Sequence, residues 1–210
     1  TFDEFTRGWN KVDHHWNILG AFQAYERMAV ALGFGDDTLA PKDLVTYDDP
    51  PFRGTFARRG LETAYEDHIL DYEFADFPKF SVTIDGAEGS MDSLVHHKNY
   101  ERGIWGPNAF TSRYAEYFHT DYGLITLVNE EADTDRNLLI VADSYSNCME
   151  RLLAAHYRTT YVLDPRHDRE TLDEFLADHE GVSDIIFIMR SPNLLAQATE
   201  QALAPASAQG

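Results

Sequence analysis

The sequence predicts an α/β fold, and three observations carry that prediction. After Arg136, short apolar runs rich in β-branched residues at 138–141, 159–163 and 185–188 each precede a helical pattern, at 146–156, 169–179 and 193–203. Such alternation gives a parallel sheet with helices on both faces. The chain has 210 residues, 13% of them aromatic, enough to bury a sizeable core in one domain. The texture of 48–99 differs from the rest, with short alternating runs broken by turn residues, and reads as a β-rich insertion into that domain.

Taken in order, residues 17–33 predict a helix. Asn17 caps it, Ile18, Phe22, Tyr25, Ala29 and Leu32 form its apolar stripe, and Gly33 and Gly35 end it. Runs at 53–57, 69–74 and 80–84 then read as strands, separated by Pro50-Pro51, Asp85-Gly86 and Gly89-Ser90. Residues 114–128 predict one more hairpin, turning at Thr120-Asp121, which extends the insertion over about 48–128. The α/β alternation follows, and the small, polar tail from Ala204 to Gly210 is expected to fray.

Composition narrows the function. A formal net charge of −19 argues against nucleic acid and anionic membrane surfaces as partners. Cys148 is the single cysteine, so no intrachain disulfide forms. No apolar run reaches 18 residues, the length that would mark a membrane span.

Two motifs carry chemistry: Asp13-His14-His15-Trp16 and Val141-Ala142-Asp143-Ser144. An Asp and a His two positions apart share a side of an extended segment, whereas on a helix they diverge. Asp13 is therefore expected to orient His15 and hold its tautomer. His15 is expected to act as general base on Ser144, which follows a buried strand and opens a helix. That turn would set backbone N–H groups and a helix N-terminus beside the hydroxyl. His14 is expected to point the other way and be structural, with Trp16 packing under the motif. The plainer alternatives are that Asp143-Ser144 only caps a helix and that His15 is a hydrogen-bonded core histidine.

Arg166 follows the second parallel strand. Ligands of open parallel sheets lie at the carboxyl ends of strands, so Arg166 is placed to steady an acyl carbonyl or an acceptor hydroxyl. A surface ion pair with Asp164 or Asp168 is the alternative. His96-His97, beside Asp92 and Glu101, lacks ligand-like spacing and reads as a solvated loop; no metal site is expected.

These residues also resemble the DHHW family of bacterial cell-envelope proteins, related to alginate O-acetyltransferases and more distantly to SGNH hydrolases. The matching stretches are Asp13-His14-His15-Trp16, Gly20-Ala21-Phe22-Gln23-Ala24-Tyr25, Phe52-Arg53-Gly54-Thr55, Ala142-Asp143-Ser144-Tyr145-Ser146-Asn147, and His156-Tyr157 leading to Asp164-Pro165-Arg166. Here Asp and His precede the Ser, the permuted order of the alginate-type enzymes. Ala142 departs from the pattern, standing where Gly usually precedes Asp-Ser.

The resemblance implies an SGNH-like domain with Ser144, His15 and Asp13 as catalytic triad and a functional Arg166. By looser analogy with the SGNH block that supplies an Asn, Asn193 is an oxyanion donor; its alternative is a helix cap. It further implies a chain anchored at the cell envelope through a segment upstream of Thr1, with the N-terminal part of the full-length domain absent. The expected function is an extracytoplasmic carbohydrate O-acetyltransferase or acetylesterase with an acetyl-serine intermediate and no organic cofactor. Its partners would be a cell-surface glycan or small acetylated sugar and a membrane-bound acyltransferase. A non-catalytic glycan-binding or scaffold module with a degenerate SGNH fold is the alternative, and a cytosolic small-ester hydrolase a third.

Overall fold

Asn17 starts the longest helix by accepting the amides of Leu19 and Gly20 on its side-chain oxygen, at 3.0 and 3.2 Å. A computed structural model of the chain describes residues 1–60, 64–65, 67–96, 113–167 and 171–195. They divide into two units: Thr1–Phe77, Met91–Thr120 and Asn147–Leu152 form the first, and Pro78–Ser90, Asp121–Ser146 and Leu153–Gly210 the second.

The first unit opens with α1 (Phe2–Arg7) and α2 (Ile18–Ala31). The stripe expected on α2 is the one it buries: Ile18, Ala21, Phe22, Tyr25 and Ala29. A Cβ on Gly20 would come within 2.3 Å of the Gly8 carbonyl oxygen, so glycine lets the segment before the DHHW motif lie directly on the helix. Strands β1 (Asp43–Phe52) and β2 (Asp67–Glu73) pair antiparallel in a two-stranded sheet. Asp71 is fully buried there beneath the Tyr117 hydroxyl at 2.9 Å and the Arg151 guanidinium at 2.5 Å. A buried carboxylate with a cation and a hydroxyl donor is the satisfied form of an otherwise costly group.

Two elements of this unit correct the sequence reading. The run at 53–57 is not a strand. Residues Thr55–Gly60 form helix α3, because the amides of Phe56 and Ala57 are both drawn to the Val12 carbonyl. Residues 114–128 are not a hairpin. Arg113–Phe118 is helix α4, with Tyr114, Tyr117 and Phe118 buried at helical spacing. His119, at φ 80°, ends it in the left-handed region. Three aromatics in five residues favour strands locally, and their common burial overrides that preference.

The second unit is built on a six-stranded sheet in the order β4-β3-β5-β7-β6-β8. Its strands are β3 (Phe80–Ile84), β4 (Ala87–Gly89), β5 (Leu124–Asn129), β6 (Asn137–Ala142), β7 (Thr159–Leu163) and β8 (Val182–Ile188). The three strands expected to be parallel are: β6 pairs parallel with both β7 and β8. The strands of the β-rich segment that belong to this unit add to the same sheet antiparallel, with β5 on β7 and β3 on β5. Leu139, Val141, Leu163 and Phe175 form a buried cluster here.

Three helices, α5 (Glu150–Ala154), α6 (Leu172–Asp178) and α7 (Ser191–Leu194), follow β6, β7 and β8 in sequence. Thr171 and Glu174 close a reciprocal capping box on α6. The expected helix at 146–156 starts only at Glu150, so Ser144 sits in a turn and opens no helix. The rest of the helix expected to 203, the tail, and His97, Glu101 and Asp168 lie outside the described residues. Among the described residues no helix is long and apolar enough to cross a membrane.

Candidate active site

In the first unit, Asp13 and His15 meet as expected. His15 Nδ1 lies 2.5 Å from Asp13 Oδ1, and the His15 amide donates to the same oxygen at 3.0 Å. The second carboxylate oxygen accepts the Thr55 amide at 2.5 Å. Burial alone would push the Asp13 carboxyl up. The bonds and charge of His15 and the Thr55 amide outweigh it, holding the group well below the usual carboxylate range. An ionised carboxylate only accepts, so the shared proton sits on Nδ1 of His15, which leaves Nε2 as the ring nitrogen able to act as base.

The local backbone differs from the one expected. Residues 11–15 form a series of bends, not a strand. Asn10 shapes the loop: its Nδ2 donates to the carbonyls of His15 and Trp16, both at 3.1 Å, and Trp9 bridges Trp16. Alternation therefore fails. His14 does not point away; its Nδ1 lies 3.4 Å from Asp13 Oδ1 and its ring centroid 4.0 Å from that of His15.

Gly54 and Thr55 are the residues sequence reasoning left without a role. A Cβ on Gly54 would sit 2.3 Å from Asp13 Cβ and 2.4 Å from Oδ2, so only glycine admits the carboxylate to the Thr55 amide. Tyr114 is the other omission, stacked on His15 at 3.9 Å with 1° between the ring planes. The Gly-Thr pair belongs to Phe52-Arg53-Gly54-Thr55, but nothing in the sequence ties it to Asp13.

In the second unit, the carboxyl ends of the parallel strands gather Asp143, Ser144, Asp164, Arg166 and Asn193. Asp143 is buried and organises the turn after β6. Its Oδ1 accepts the Tyr145 amide at 2.9 Å, and its carbonyl accepts both the Ser146 amide and the Ser146 hydroxyl. The amides of Tyr145 and Ser146 are thus spent on Asp143, and the helix N-terminus expected beside Ser144 is absent. Ser144 itself is half-buried in this turn.

Asp143 Oδ2 reaches across to the loop after β8, accepting the Arg190 amide at 2.9 Å and Asn193 Nδ2 at 2.6 Å. Asn193 is therefore locked to the residue that precedes Ser144. Arg166 grips the buried Asp164 through Nε at 2.9 Å and Nη2 at 2.5 Å, and lies 3.1 Å from Asp121. The hydrogen bonds it donates to Asp164 push the guanidinium pKa further up and keep it charged.

Among the described residues two sets of metal-type ligands lie close together: Asp13 with His14 and His15, and Asp121 with Asp164 and His167. N–H donors already fill the Asp13 carboxylate, and the Arg166 guanidinium lies between the two acids of the second set.

No family model and no curated protein matches the chain. Among solved structures it is similar to Bacillus cereus PatB1 with a sulfonyl adduct, at TM-score 0.73 and 23% identity over 95% of this chain and 66% of that one. A second PatB1 structure gives TM-score 0.70 at 23% identity, covering 95% of this chain and 67% of that one. A DHHW family protein from Eubacterium siraeum gives 0.69 at 18% identity, over 93% and 63% of the two chains. The chain thus spans about two thirds of these relatives' length. The likenesses show a shared α/β fold.

Proposed function

We propose that this chain carries the chemistry of a serine-dependent carbohydrate O-acetyltransferase or acetylesterase. The observation that carries the reading is the Asp13–His15 pair, a buried carboxylate fixing Nδ1–H of an imidazole and leaving Nε2 as the base. The order of Asp13, His15 and Ser144 in the sequence and the likeness to a DHHW fold support it further. So does general chemistry: sulfonyl electrophiles react with activated nucleophiles, and one similar structure bears a sulfonyl adduct.

In the proposed reaction, Ser144 Oγ attacks the acetyl carbonyl carbon while His15 Nε2 takes its proton. The bond from that carbon to the donor oxygen breaks, and the oxygen leaves as an alcohol with the proton from His15. A sugar hydroxyl, or water, then attacks the acetyl-serine and loses its proton to His15, and the proton returns to Ser144. Asp13 holds the tautomer and faces the imidazolium formed twice per cycle. Asn193 and Arg166, both ordered by carboxylates, are the proposed polar contacts for the acyl oxygen or the acceptor. The proposed setting is the outer face of the cell envelope, with a cell-surface glycan or small acetylated sugar as substrate and a membrane-bound acyltransferase as supplier.

The test is a burst experiment with an activated acetyl ester, followed by mass spectrometry. Wild type is expected to gain one acetyl group, located on Ser144. Ser144→Ala is expected to lose the adduct and on the order of 10⁴-fold or more in turnover. A folded Ser144→Ala protein with wild-type turnover would remove the serine mechanism. A wild type that binds glycans but never acetylates would point instead to the scaffold module.

A further inference from the structure

Among the described residues, the rings of Tyr114 and His14 lie against the His15 imidazole, and the proposed chemistry uses neither. Tyr114 lies on it at 3.9 Å, parallel to within 1°. His14 lies at 4.0 Å, tilted by 39°. Tyr114 is itself 2% exposed and sits on α4. Its ring also packs on Phe118 at 5.1 Å.

The Asp13 bond holds one atom of the imidazole, and correlated changes in χ1 and χ2 can still tilt the ring while that bond keeps its length. A flat partner removes that freedom. From this geometry we infer that Tyr114 is the positioning residue that sets the plane of His15. The proposed acetyl transfer requires Nε2 to meet a hydroxyl along its lone pair, so the plane decides how well the base is aimed. The π face of Tyr114 also favours the imidazolium when His15 carries a second proton. Burial first, then the Cys148 contact, pushes the phenol up, so it stays neutral throughout. The inference rests on the acetyl-transfer reading for its consequence in rate, and on the stack alone for its consequence in structure.

The experiment follows the low-field proton resonance of His15 Nδ1–H, assigned by its loss in His15→Gln. Tyr114→Phe keeps the ring and drops only the hydroxyl, and is expected to retain the resonance. Tyr114→Leu removes the stack and is expected to bring the proton into exchange with water at least about tenfold faster. It should lower kcat by about 10- to 100-fold with little change in KM, the cost of a base displaced by an ångström or less. If Tyr114→Leu does not fold, Tyr114→Met fills the same space and decides the matter in the same way. A folded Leu or Met variant with wild-type proton exchange overturns the inference. A faster-exchanging proton in a protein whose wild type never acetylates would uphold the positioning role and sink the enzymatic reading.

Discussion

Replacing Gly54 with Ala tests the geometry of the dyad without touching a catalytic group. The new Cβ would stand 2.3 Å from Asp13 Cβ, 2.4 Å from Oδ2 and 2.7 Å from Cγ. Ordinary carbon contacts begin near 3.5 Å, so the carboxylate must retreat by about 1 Å. It has nowhere unstrained to go, because Oδ2 is held by the Thr55 amide and Oδ1 by two donors of His15. Overpacking of this kind costs about 1–3 kcal/mol. A 1 Å displacement of a group that orients a base costs on the order of 100-fold in rate. The expected result is a protein that still folds, with a lowered Tm, a broadened His15 Nδ1–H resonance and a large loss of acetyl-ester turnover. If Gly54→Ala melts, resonates and turns over like wild type, the Asp13 carboxylate does not depend on the space glycine leaves, and the account of the Phe52-Arg53-Gly54-Thr55 stretch fails.

Two further outcomes follow from the same contacts. The Asp13 carboxyl is held below its ordinary value of about 3.9, so in acid the unfolded chain binds more protons than the native one. Its contribution to stability is complete above that value and is lost as pH falls through the lower native one. Urea titrations below about pH 4 should show wild type losing stability more steeply than Asp13→Asn, and parallel curves would remove the ionised carboxylate. Asn193→Ala deletes a donor from the buried Asp143 carboxylate and should cost about 1.5–3 kcal/mol in chemical denaturation, as bonds to charged groups do. An unchanged midpoint would mean that the Asp143–Asn193 contact does not form in solution.

Much of this architecture is written locally. Asn17 and the buried stripe of α2 announce a helix because a cap and a 3.6-residue period are properties of neighbouring residues. The parallel strands β6, β7 and β8 announce themselves by apolar β-branched runs of strand length. Asp13 and His15 were legible as a pair because they stand two positions apart, although a bent loop, not a strand, brings them together.

What the tertiary structure alone decided involves contacts between distant residues. The Thr55 amide reaches Asp13 across 42 positions, and the Phe56 and Ala57 amides beside it reach the Val12 carbonyl, where an apparent strand becomes a helix. Asn193 reaches Asp143 across 50. Asp143 spends the Tyr145 and Ser146 amides on its own turn and delays the helix after Ser144 to Glu150. His14 joins the dyad instead of leaving it because Asn10 bends the loop, and Tyr114 stacks on His15 from a helix whose aromatics favour strands when read alone. Residue type and spacing set which groups are present. Their partners, and hence their charge, tautomer and aim, are set by burial, where a polar atom must be satisfied by whatever the fold places beside it.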